Sequence, residues 1–227
     1  MMRFDPARQL VAEFLGTLIL VGTVVGSGIL ADRFSPDDGV ALLGNTLATG
    51  AILVVLILIF GPVSGAHFNP AVTVAMRMLR QIDTKLAALF IIVQVAGGLT
   101  GTFLAHLMFE ETVVQFSTNA REGPAQWLSE GVATFALLAA IIGTVKFRPE
   151  AVPYAVGLVI TAGYWWTAST SFANPAVTIA RAFTDTFSGI EPSDVAPFIA
   201  AQLFGAGLAT ALMGWLVRFD LPKRPQS

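Results

Sequence analysis

The pentapeptide Asn69-Pro70-Ala71-Val72-Thr73 recurs letter for letter as Asn174-Pro175-Ala176-Val177-Thr178, 105 residues downstream in a strongly apolar chain. Each copy follows a small-residue loop containing an aromatic, Gly65-Ala66-His67-Phe68 in the first case and Thr170-Ser171-Phe172-Ala173 in the second. Asn is a favoured N-cap, and Pro at the first helical position gives up an N–H that had no partner there. Each motif therefore starts a helix, and only about ten helix-compatible residues follow, too few to cross a bilayer. The chain must accommodate two half-length helices of the same construction.

The surrounding sequence places those helices in a membrane. Of the 227 residues, 55% are hydrophobic and 12% charged, against about 25% charged in a soluble domain; the mean hydropathy is +0.72. Six apolar stretches stand out, near 11–30, 40–60, 86–109, 127–145, 152–168 and 196–217. The first is long enough to span and is expected to be a retained transmembrane helix, not a signal peptide. The net charge of −2 carries no nucleic-acid signal, and the chain has no cysteine. No cofactor motif, metal-ligand cluster or nucleophile with an adjacent base is legible, which argues against an enzyme.

The halves correspond beyond the motif: Glu13 in the first span matches Glu130 in the fourth, and Gln94 in the third matches Gln202 in the sixth. Each half, about 9–109 and 126–218 of one channel domain spanning 1–227, holds three spans and one half-helix. An odd number of spans inverts the second half, a plan that puts a pathway near the bilayer centre. The fold class expected is all-α, six transmembrane helices plus two re-entrant half-helices in an inverted repeat. With both termini cytoplasmic, Arg3, Arg8, Arg77, Arg80, Lys85, Lys146, Arg148, Arg218, Lys223 and Arg224 face in, while Arg33, Arg121 and Arg181 face out, as the positive-inside rule requires.

If each Asn oxygen caps its own helix, its side-chain NH2 is left as an outward donor. Asn69 and Asn174 would then meet near the midplane, where each half-helix adds about half a positive charge. Such a site suits a solute oxygen and repels cations. Non-helical backbone at this depth is tolerated where it is buried in protein or lines a watery cavity, so Gly65, Ala66, His67, Thr170, Ser171 and Phe172 are expected to present carbonyl acceptors.

The six spans, the two Asn-Pro-Ala motifs, Glu13 and Glu130, Gln94 and Gln202, and His67-Phe68 resemble the aquaporin (major intrinsic protein) family along essentially the whole chain. The resemblance implies a right-handed bundle, a homotetramer with one pore per subunit, and Glu13 and Glu130 supporting the pore loops. It also exposes a departure. Most members carry Arg directly after the second motif, where this chain has Val177. The second-span filter position becomes Thr49, aromatic in water-selective and glycerol-conducting members, and the loop position becomes Ser171. The fifth-span position is open between Ala162, Gly163 and Tyr164, because the connector to the second motif is about two residues short. With Ala162 or Gly163 the filter is wide and cation-free, and narrowness is what rejects larger solutes in such pores. The chain then resembles bacterial aquaglyceroporin-like channels associated with arsenic resistance, passing glycerol-like polyols, water and arsenite in the bacterial inner (plasma) membrane. With Tyr164 the filter narrows, and a water-selective aquaporin is the alternative; a secondary active transporter would need coupling-ion ligands at the helix breaks, and the motifs supply only amides.

Other residues draw plainer readings. Arg181, with Asp185 four residues on, reads as a helix-surface ion pair in preference to a displaced filter arginine. His67 shapes the inner mouth, and His106 packs between helices. Gly22/Gly26 and Gly97/Gly101 have the spacing for close helix approach. Trp127, Trp165, Trp166 and Trp215 suit membrane interfaces.

Overall fold

A computed structural model describes residues 4–217; Arg3, Arg218, Lys223 and Arg224 of the charge count, and the expected end of the second repeat at 218, lie outside them. Among the described residues there are eight α-helices and no strand: α1 Pro6–Phe34, α2 Asp38–Ser64, α3 Pro70–Met78, α4 Thr84–Phe109, α5 Pro124–Phe147, α6 Val152–Trp166, α7 Pro175–Arg181 and α8 Pro192–Leu216. Local chemistry sets the starts. Asp5, Asp37 and Asp83 accept backbone N–H groups at the heads of α1, α2 and α4, and Pro occupies the first turn of the other five.

Five helices, α1, α2, α4, α5 and α8, are long and apolar enough to cross a membrane. The expected fifth crossing is shorter than its apolar run: α6 has 15 residues, about 22 Å at 1.5 Å per residue. A single 3-10 turn, Pro149–Ala151, extends it at its start. At the other end the helix stops at Trp166, where Thr167 turns extended and its N–H returns to the Gly163 carbonyl.

The two halves are built alike. α1 packs most extensively on α4, and α5 on α8. Both crossings depend on glycine. A side chain at Gly101 would strike the Leu18 carbonyl and sit 2.9 Å from the Gly22 nitrogen, and one at Gly205 would strike the Gly131 carbonyl. Polar residues sit inside: Glu13, Glu130, Gln94 and Gln202 are fully buried. Large apolar side chains such as Leu128, Leu158, Phe204 and Trp215 point outward, the reverse of a soluble protein and the arrangement lipid requires. α3 packs against α4 of its own half and α8 and α5 of the other, and α7 against α8 of its own half and α4 and α1 of the other, so each half-helix bridges the two halves.

Candidate functional site

The loops before the two half-helices are held by two buried carboxylates. Glu13 accepts from the Ser64 hydroxyl at 2.6 Å, the His67 and Phe68 N–H groups at 2.9 and 2.7 Å, and Gln94 Nε2 at 2.8 Å. Glu130 repeats the pattern with Ser169 at 2.6 Å, Phe172 and Ala173 N–H at 2.8 and 2.9 Å, and Gln202 at 2.6 Å. Each Gln also donates to the motif threonine, Gln94 to Thr73 at 3.0 Å and Gln202 to Thr178 at 2.8 Å. A carboxylate is acceptor-only and takes about four hydrogen bonds, so both sites are filled.

That support is needed because the loops are strained. Gly65, Ala66 and Phe68 have φ of 93°, 51° and 49°, and Thr170, Ser171 and Ala173 have 61°, 53° and 47°. Left-handed backbone costs a non-glycine residue about 1–2 kcal/mol, and a β-branched residue such as Thr170 is a marked outlier. The conformation turns the Phe68 and Ala173 carbonyls toward the opposite half.

There the asparagines meet them. Asn69 Oδ1 accepts from its own Ala71 N–H at 2.8 Å, and Asn174 Oδ1 from Ala176 and Val177 N–H at 3.0 and 3.3 Å. Asn69 Nδ2 donates across to the Ala173 carbonyl at 2.7 Å, and Asn174 Nδ2 to Phe68 at 2.8 Å. The expected outward NH2 is thus half committed: one hydrogen ties the repeats together and the other has no protein acceptor among the described residues. Pro70, Ala71, Pro175 and Ala176 are buried as the first residues of α3 and α7.

A cavity of about 240 Å³ passes both asparagines. Gly65, Ala66, His67 and Phe172 line it; Thr170 is not on its wall. Thr49, Ser171 and Val177 line the cavity, and Tyr164 joins them with its hydroxyl 3.3 Å from Thr49 Oγ1. The expectations for Ala162 and Gly163 are corrected. Ala162 lies on the exposed face of α6, two positions and about 200° of helix rotation from Tyr164. Gly163 is buried against Ser171, whose Oγ would lie 2.5 Å from any Cβ there, and does not reach the cavity. The cavity wall beside Thr49, Ser171 and Val177 therefore carries the tyrosine ring of α6 in place of an alanine or glycine.

The model of the family described as Major intrinsic protein matches residues 1–162. The chain belongs to that family. It is 56% identical over 225 residues to Aquaglyceroporin AqpS of Rhizobium meliloti (strain 1021), covering 99% of this chain and 95% of that protein. Aquaporin Z of Photorhabdus laumondii is 32% identical over 169 residues, 67% of this chain and 73% of the relative. Among solved structures, the aquaglyceroporin from Plasmodium falciparum matches with a TM-score of 0.72 at 20% identity, over 95% of this chain and all of the other, a likeness of fold. As a member of this family the protein is an integral membrane channel and not an enzyme.

Beyond the motif the family member carries features that sequence spacing missed. The connector 110–123 is stitched over the segment that follows α7: Ser117 N–H donates to Ala182, Thr118 N–H and hydroxyl to Asp185, and Asn119 Nδ2 to Thr186. Arg121 donates through Nε to the Gly189 carbonyl at 2.8 Å and through its backbone N–H to Asp194 at 2.6 Å. Burial pushes the Arg121 pKa below the usual arginine value, opposed by the nearby Glu130 carboxylate. His106 is no mere packing residue, with Nδ1 at 2.8 Å from the Val113 carbonyl and Nε2 at 2.8 Å from Thr184 Oγ1. Arg181 departs furthest from expectation. Asp185 is spent on Thr118, and Arg181 lies buried in the cavity wall, its guanidinium 3.4 Å from the centre of the Phe172 ring.

Proposed function

We propose that this protein is a passive channel for small neutral solutes: water, glycerol-sized polyols and neutral metalloid hydroxides such as arsenite, which present hydroxyls on an uncharged centre as a polyol does. The observation that carries the reading is the pairing of Thr49 with Val177 in the cavity wall. An aromatic at the first position and an arginine at the second would fill that space. The name of the 56% identical relative, an aquaglyceroporin, supports the same reading.

The chemistry of passage follows from the site. Strained loops offer carbonyl acceptors, the free hydrogens of Asn69 and Asn174 offer donors, and much of the rest of the wall, such as Leu137, Ile141 and Val156, is apolar. A hydroxylated solute exchanges its hydration for this stripe, while the N-termini of α3 and α7, each about half a positive charge, oppose cations. Water held through its oxygen between the asparagines is oriented against proton relay. The channel acts in the inner (plasma) membrane of a bacterium, with both termini cytoplasmic and as a homotetramer.

Tyr164 favours a second reading, a water-selective pore, because its ring occupies space that an alanine would have left open. Stopped-flow measurement of water, glycerol and arsenite flux in proteoliposomes separates the two. Fast water flux with no glycerol flux selects the second.

A further inference from the structure

Among the described residues, Arg181 is the only lysine, arginine or carboxylate residue in the cavity wall. It is 2% exposed, and no carboxylate lies within ion-pair distance among the described residues. Its Nε donates to the Ser188 carbonyl and its plane lies on Phe172. No hydrogen bond engages its two Nη nitrogens among the described residues. Arg121 approaches the same ring, 5.0 Å from its centre, but that side chain is committed to Gly189.

A buried charge without a partner is costly, and a site that keeps one generally satisfies it by other means. Here the position identifies those means. Asn174, Val177 and Arg181 fall at i, i+3 and i+7, one face of α7, and all three line the cavity. The same face of α3 carries Asn69, Val72 and Met76 into the same cavity. The repeat that is letter-perfect at the motif therefore diverges one turn later, apolar at one mouth and cationic at the other.

We propose that Arg181 is a specificity-determining residue of the pore: its free Nη donors take hydroxyl oxygens of the permeating solute one turn beyond Val177, and its charge bars monovalent cations at that mouth. The planar fork suits two oxygens of one molecule, which a water-sized or cationic solute cannot use. The proposal rests on the channel reading above.

The test compares wild type with R181K, R181Q and R181L in proteoliposomes, reading potassium and proton leak beside glycerol and water permeability. R181Q and R181L are expected to raise cation leak by about tenfold, the lower end of what a focused charge does to local ion concentration. R181K is expected to keep cations out but to lower the glycerol-to-water permeability ratio, having lost the fork. Neutral variants that assemble and stay as tight as wild type would overturn the proposal. If only R181K assembles, an unchanged glycerol-to-water ratio overturns it. A wild type that conducts neither water nor glycerol refutes the channel reading itself, a result distinct from either.

Discussion

The hydroxyl of Tyr164 lies 3.3 Å from Thr49 Oγ1, joining α6 to α2 in the cavity wall. This contact holds the Tyr164 side chain in the wall beside Thr49. Removing the hydroxyl alone, Y164F, leaves the ring in place, and glycerol and water permeabilities are expected to stay close to wild type. Removing the ring, Y164A, opens the filter, and glycerol permeability is expected to rise severalfold with a smaller change for water. Equal behaviour of the two variants would place the ring outside the pathway.

Asn174 spends one amide hydrogen on Phe68 and keeps one. In N174D both are lost and a negative charge is set beside a carbonyl. Proton and potassium leak in proteoliposomes is expected to rise by about tenfold or more, with N69D behaving alike. No leak in either would reduce the asparagines to helix caps.

Glu130 holds four donors, and glutamine in its place offers an amide nitrogen to two of them. Each buried donor left unpaired costs about 1–3 kcal/mol. E130Q is expected to lose roughly 2–4 kcal/mol of stability, seen as a lower unfolding midpoint in detergent, and E13Q should match it because Glu13 holds four donors of the same kinds in the first half. A proton-coupling role would instead leave stability intact and alter the pH dependence of flux.

Two glycines on α8 make an internal control. A Cβ at Gly205 would strike the Gly131 carbonyl, whereas one at Gly207 would meet nothing within 4 Å. G205A is expected to destabilise by about 1–3 kcal/mol through overpacking. G207A is expected to be neutral or stabilising by up to about 1 kcal/mol, the helix-propensity difference. Thermal unfolding of both in one detergent checks the pair.

What the sequence made legible was the part whose cause is local or repeated. The N-caps follow from Asn-Pro, and the carboxylates and glutamines followed from comparing one half with the other. The filter position on α6 was not legible, because it depends on where that helix stops, and the Thr167 turn that stops it is an early break within an apolar run. Arg181 misled for a similar reason. An acid four residues on suggests an ion pair, but the connector 110–123 claims Asp185 from a distance in sequence. The spacing of 105 residues did hold the signal, since it pairs Arg181 with Met76, a residue facing the same cavity.

Val177 and Thr49 are proposed to leave room for a glycerol-sized solute. The most direct measurement is the ratio of glycerol to water permeability in proteoliposomes for wild type and V177R. Ready glycerol flux is expected in wild type, with a ratio that falls by about tenfold or more in V177R, the scale on which a pocket discriminates by small differences in size. A wild type that excludes glycerol while passing water, or a V177R channel with an unchanged ratio, would contradict it.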